Sequence, residues 1–421
     1  MSNNFLNAVE YANTMLLLVK NQLVMGRRVA GQFRDQVTDE NGLAISVKRP
    51  PRFIANSGAA LAAQDIVTGS ETISVNQYKN VHVSIGDLEY VESYNELMRS
   101  SVMQSAASEL AHDIDLYLAT QVNKFSSWVG DPGEDIASPA EFNAVHTRLM
   151  EQSVPNSELS GVLTFADGEK IRGSLIGGDI QGVNRNALER VRIPILSEID
   201  VYATQNLAQL STGSRQNGAV AGAGQNANYR DVKDNAYMSQ EIDLDGLGAN
   251  ATIAEGEVFT IAGVFAINPR TRQPYGRLQQ FTVIEAATAN GSGAATVTIA
   301  PAIIVAGTND GTDSTTNTRY ATVSAVPADD ATVTWLGSAS TNYTQRAAFH
   351  RSAIQLVSAR LPTPFTGESS FAVDPETGVG IRYWRGSDIS TGAHVHRWDM
   401  IYGAKNMQPF LGSRLNGPGS G

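Results

Sequence analysis

A chain of 421 residues is long enough for two or three domains and a substantial core. With 42% hydrophobic and 17% charged residues it has the composition of a soluble globular protein carrying fewer charges than average, which suits a surface largely buried or covered by other subunits. A net charge of −11 argues against a basic footprint for gripping nucleic acid, and the absence of cysteine excludes disulfides and thiolate metal sites and fits cytoplasmic synthesis.

No cationic segment precedes the first apolar run, and Met15 to Val19 is far short of the ~20 residues that span a bilayer, so neither an export signal nor a membrane span is expected. Asn4 to Val29 repeats Phe5, Val9, Ala12, Leu16, Val19 and Leu23 at helical spacing, with Asn3 or Asn4 placed to cap the helix. From Asp35 to Asn80 the periodicity disappears, and an extended loop is expected. It carries the cationic run Lys48-Arg49-Pro50-Pro51-Arg52 ahead of Phe53, and the proline pair would hold a projecting segment extended. Lys48, Arg49, Arg52 and Phe53 are therefore candidate subunit-contact residues, the three cations reaching acidic groups on an adjacent copy rather than on their own chain.

Val81, Val83 and Ile85 alternate with polar residues as in a strand. Val91 to Phe125 then gives one helical pattern without Pro or Gly, on the order of 50 Å long, with Met103, Ala106, Leu110, Ile114, Tyr117, Gln121 and Phe125 near one face. Trp128 to Gln225 reads as mixed α/β, including a helix over Phe142 to Met150 behind Ser138-Pro139. The small residues of Gly213 to Gln225 suggest a domain junction. From Val232 to Asn342 strand-length segments recur, at Val258 to Ile267, Phe281 to Ile284, Thr296 to Ile299 and Thr332 to Leu336, with a hairpin signal at Asn290-Gly291, and an inserted small β-barrel is expected. Ala347 to Ala359 is mixed, and Gly380 to Ala404 reads as two strands around Gly386-Ser387-Asp388.

Motifs for chemistry are sparse. His394, His396 and Asp399 form the best metal-like cluster, since alternate strand residues share a face, and they would serve a metal-dependent hydrolase. Asn309, Asp310 and Asp313 around Gly311 lack the regular spacing and closing Glu of a calcium loop. Gly173 to Gly178 matches neither a dinucleotide fingerprint nor a phosphate loop, and its glycines are expected in turns. His350 and Ser352 have no Gly-x-Ser-x-Gly element beside them. No catalytic, cofactor or metal residue is assigned, and no enzyme is expected.

Two stretches carry a family likeness. Gly256-Glu257-Val258-Phe259-Thr260-Ile261-Ala262-Gly263-Val264, with Asn268-Pro269, resembles the inserted domain of coat proteins of the phage P-twenty-two type. Ala348-Phe349-His350-Arg351 through Leu361-Pro362, then Ile381-Arg382-Tyr383-Trp384-Arg385, Asp388-Ile389-Ser390-Thr391 and Tyr402-Gly403, resembles their carboxy-terminal region. The order of elements agrees over nearly the whole chain.

The resemblance implies an α+β HK-ninety-seven-like major capsid fold. Its parts would be an N-arm at 1–34, an E-loop at 35–80, a P-domain with spine helix at 81–135, and an A-domain at 136–231 and 343–375. A β-barrel I-domain would occupy 232–342, and closing strands and tail 376–421. It also implies pentamers and hexamers of the chain itself, a scaffolding protein, a portal protein, and packaged double-stranded DNA contacted without sequence preference. There would be no membrane and no cofactor, and the protein would reside in a virion assembled in the host cytoplasm. A tail or decoration protein would be the alternative structural role. The sequence departs from relatives in lacking a recognisable long charged hairpin near the start of the insertion.

Overall fold

The computed structural model describes residues 8–31, 43–55, 64–86, 101–177, 197–307, 314–388 and 393–417. The chain divides into two compact units. One comprises Met1–Ile45, Thr72–Ala119 and Ile354–Lys405; the other comprises Ser46–Glu71, Thr120–Ala353 and Asn406–Gly421.

In the first unit, helix α1 (Ala8–Gln22) buries Ala8, Tyr11, Ala12, Met15 and Val19. This seam is turned from the expected one: Val9 is exposed, because the stacking of Tyr11 on Tyr383 (ring centroids 5.0 Å) sets the rotation. The described part of Asp35 to Asn80, residues 43–55 and 64–80, is less irregular than expected. It contributes β1 (Ala44–Lys48) and β2 (Ser70–Ser74), which form a two-stranded sheet, and the start of β3 (Gln77–Gly86). Helix α2 (Ser101–Val122) carries most of the predicted spine helix; residues 91–100 lie outside the described residues, and Phe125 falls just beyond the helix.

The unit's antiparallel sheet is completed by β18 (Ile354–Ser358), β19 (Glu368–Val373), β20 (Gly380–Asp388) and β21 (Ala393–Asn406). β21 runs between β20 and β3, pairing with β3 from Ala393↔Gly86 to Tyr402↔Gln77, so the Val81/Val83/Ile85 alternation is a true strand. Gly386 to Asp388 are in register with Ala393 to Val395 and belong to the ladder, not to a turn; residues 389–392 lie outside the described residues.

The second unit holds an open sheet and a closed barrel. The sheet orders β4 (Trp128–Val129), β22 (Gly412–Leu415), β17 (Arg346–His350), β5 (Leu159–Leu163) and β6 (Asp200–Ala203). β5 and β17 are buried on both faces and read as continuous runs, not alternations. Helix α3 (Ala140–Glu151) contributes Phe142, Val145 and Leu149 to their core. Its start differs from the Ser138-Pro139 expectation: Pro139 is the N-cap and makes no side-chain cap hydrogen bond, while the Glu141 carboxylate accepts from the Ser138 N–H (3.0 Å) and the Ser138 hydroxyl (2.7 Å) just ahead of it. Helix α4 (Phe165–Gly177) takes in Gly168 and Gly173, which are helical and not turn residues.

The barrel closes in the order β11-β12-β14-β9-β8-β15, with β8 (Gly218–Val220), β9 (Gln240–Asp245), β11 (Val258–Ile267), β12 (Pro274–Val283), β14 (Ala295–Ala300) and β15 (Thr332–Trp335). Its filling is Ile242, Leu244, Phe259, Ile261, Phe281, Val283, Val297, Ile299 and Trp335. The barrel begins before residue 232: the small-residue stretch read as a junction supplies the stave β8, which pairs with both β9 and β15. Just outside it, β7 (Gln209–Ser211) pairs with β16 (Asn342–Thr344) and ties the two ends of the insertion together.

Candidate assembly surface

The cationic segment follows β1, and its residues have different fates. Lys48 and Phe53 are exposed, Phe53 at 54%. Arg49 is buried and forms an ion pair with Glu71 of its own chain, which also accepts the Tyr237 N–H (3.0 Å). The guanidinium donates as well to the backbone oxygens of Lys233 (2.8 Å) and Asn235 (3.3 Å). The expectation that Arg49 reaches a neighbouring copy is thereby corrected. Glu71 is completely enclosed, and two opposite charges removed from water together hold each other in place.

Arg52 is half-buried. Its N–H donates to the Tyr320 hydroxyl (3.0 Å), which donates on to the Val67 oxygen (2.8 Å), and its guanidinium lies 5.7 Å from the Tyr320 ring centroid. Burial pulls its pKa down. Tyr320 ends α6 (Ser314–Tyr320) and stacks on Tyr229 of α5 (Tyr229–Val232), with ring centroids 3.5 Å apart and planes 3° from parallel. Burial pushes the Tyr229 hydroxyl pKa upward. The exposed Pro50 and Pro51 line a cavity of about 150 Å³ together with these tyrosines, Tyr237 and Met407.

The other motifs prove to be scaffolding. In the stretch starting at Gly256, that glycine holds φ +91° and its oxygen accepts from Arg414 (2.6 Å). Glu257 is buried against Arg215, and the Asn268 side chain accepts from the Arg270 (2.8 Å) and Thr271 (3.0 Å) N–H groups to turn β11 into β12. Arg414 is fully buried, and among the described residues no carboxylate pairs with it. It donates to the backbone oxygens of Gly256, Asn123 and Phe125 and lies 5.1 Å from the Trp128 ring centroid, and burial draws its pKa down to about 9. Arg346 of β17 bridges Asp167 and Asp135. Sequence reasoning missed these buried arginines; the one available signal was a cation inside a short strand, as in Gly412-Ser413-Arg414-Leu415.

The metal-like cluster separates into three unrelated engagements. Asp399 accepts from Arg382 and Arg397 (each 2.5 Å), the Nδ1 of buried His396 contacts the Tyr383 hydroxyl at 2.6 Å, and the Nδ1 of His394 lies 3.1 Å from the Ser387 hydroxyl. Burial, with Arg385 and His394 nearby, holds the His396 pKa down at about 4. Among the described residues no group of three or more His, Asp or Glu is placed to hold a metal, and Asn309, Asp310 and Asp313 lie outside the described residues. His350 Nδ1 lies 2.7 Å from the Ser352 hydroxyl at the end of β17, and burial lowers its pKa. No described helix is long and apolar enough to cross a membrane.

Comparisons with known proteins bear on the whole chain. No curated protein matches it in sequence. Among solved structures it is similar to one from Mycobacterium phage Che8 at 12% identity and TM-score 0.47, covering 93% of this chain and 90% of that one. It is similar to the capsid of cyanophage P-SCSP1u at 12% identity and TM-score 0.40, covering 90% and 84%. The CUS-3 coat protein I-domain matches 31% of this chain and 98% of its own at 24% identity and TM-score 0.21. The family described as P22 coat protein, gene protein 5, matches residues 1–417. The chain, matched by that family over all but its last few residues and built from the mixed sheets and small barrel expected of it, belongs to the P22 coat protein family of phage capsid proteins.

Proposed function

We propose that this major capsid protein assembles through pentamers and hexamers into the icosahedral shell of a tailed phage, around a scaffolding protein and with a portal at one vertex. Double-stranded DNA is packaged afterwards and contacted without sequence preference. The observation that carries the reading is the family match across residues 1–417. The subunit acts by geometry and catalyses nothing, and assembly takes place in the host cytoplasm. In the family's terms α1 belongs to the N-arm, the β1–β2 region to the E-loop and α2 to the spine of the P-domain, while the barrel, extended back to β8, is the I-domain.

Lys48, Arg52 and Phe53 remain the contact candidates of the cationic segment, because Arg49 is committed to Glu71. Negative-stain electron microscopy and light scattering of purified protein, with and without its scaffolding partner, test the proposal. Closed shells are expected. Monomer alone under every salt and scaffold condition would overturn it.

A further inference from the structure

Phe365 is 107% exposed, more open to water than in an extended peptide, and the loop that carries it is fastened at both ends. Upstream, the Arg382 guanidinium donates to the Pro362 oxygen (2.6 Å); downstream, the Trp384 indole donates to the Thr366 oxygen (2.8 Å). Gly367 follows at φ +80°, where a Cβ would meet the Arg385 oxygen at 2.3 Å, so only glycine returns the chain to β19 there. Pro362 and Pro364 restrict the remaining torsions. A large apolar ring held rigidly in water loses little conformational entropy on docking, the property that marks aromatic anchors at interfaces.

The cavity beside the cationic segment has the complementary shape. Its volume of about 150 Å³ is that of a pocket that takes up a benzene ring. Its lining brings Tyr229, Tyr237, Tyr320 and Met407 together with Arg49 and Arg52, and aromatic rings, polarisable sulfur and guanidinium groups all suit an incoming aromatic side chain. Gln408 also lines it and is half-buried.

We propose that Phe365 of one subunit seats in the aromatic cavity of a second copy. The inference rests on the shell reading above, which supplies the second copy. Knob and socket are different surfaces, so the contact is head-to-tail, the kind that closes into rings and can repeat around a capsomer.

The absence of cysteine makes the test direct. Shells are assembled from an equal mixture of two variants, Thr366→Cys, which leaves the Phe365 ring in place and uses an exposed side chain, and Gln408→Cys, and oxidised. Each chain carries one thiol, so a bridge between the two positions can join only different chains. A disulfide-linked dimer carrying both variants is the expected product, absent from shells of either variant alone. Independently, Phe365→Ala should raise the subunit concentration needed for assembly about tenfold or more, without shifting the melting temperature of unassembled subunits.

Wild-type shells that form while the mixed variants give no heterodimer would overturn the proposal and leave the shell reading standing. So would a 408 thiol shielded in the shell but bridging only to another segment or protein. Wild-type protein that never assembles would overturn both.

Discussion

Asp115 offers a test of how the amino-terminal helix is held. It projects from α2 into a fully buried position and accepts the N–H groups of Val24 (2.8 Å) and Gly26 (2.9 Å), fixing the turn that follows α1. Burial pushes its pKa up to about 6 from 3.8, against the opposing pull of those N–H groups. Between about pH 4 and 6 the folded protein therefore binds more protons than the unfolded chain. The contribution of Asp115 to stability falls as pH rises through that window and is level on either side. A shift of roughly two units corresponds to about 3 kcal/mol.

Asp115→Asn removes the ionisation while keeping the shape and one acceptor. The stability difference between variant and wild type should move by about 3 kcal/mol in the variant's favour from pH 4 to pH 7. Urea unfolding of unassembled subunits across that range measures it, with hydrogen-exchange protection of residues 23–26 as the local readout. Parallel pH profiles for the two proteins, or a difference of opposite sign, would refute the reasoning.

Arg414→Ala should destabilise the second unit by about 3–5 kcal/mol, since three buried carbonyls lose their donor; a thermal melt within about 1 kcal/mol of wild type would contradict this. Arg49→Ser should lower the melting temperature of the unassembled subunit by stranding Glu71, whereas Lys48→Ser with Arg52→Ser should mainly lower assembly yield and alter its salt dependence; equal effects of the two variants on melting and assembly would count against assigning them different roles. A fragment spanning residues 209–344 should fold alone with a cooperative β-type circular dichroism transition, while 232–342, lacking β8, should be markedly less stable; indistinguishable melts would show that β8 is dispensable.

Where one side of an element faces a core, its pattern could be read directly. β11 matches its expected limits of Val258 to Ile267, and β15, within the expected Thr332 to Leu336, alternates exposed and buried residues as a barrel stave must. Legibility failed where long-range partners decide. β8 is three small residues without a pattern of their own, and it becomes a strand only because β9 and β15 flank it. Arg49 looked like a projecting charge because Glu71, 22 residues away, carries no mark of being its partner. The aromatic cavity was hidden for the same reason: Tyr229, Tyr320 and Met407 are far apart in sequence, and α5 and α6 are too short to announce a shared face.

The distribution of charge explains why such contacts matter for a chain of this composition. Among the described residues the buried cations are Arg49, Lys124, Arg215, Arg319, Arg346, Arg382 and Arg414, and the buried acids are Glu71, Asp115, Glu141, Asp167, Glu257, Asp374 and Asp399. Seven formal positive charges stand against seven negative, so the interior is formally neutral and the net −11 is carried by the remaining residues. Copies brought together therefore repel over the Debye length of about 8–10 Å at moderate salt. Cohesion between them has to come from contacts that gain nothing from net charge: an exposed ring entering an aromatic cavity, or a local cation such as Lys48 facing an acidic neighbour. A single exposed ion pair contributes at most about 1 kcal/mol, and a buried aromatic ring about 1.5–3 kcal/mol, so for subunits of like charge the aromatic contacts should dominate the strength of association and the cationic ones its orientation.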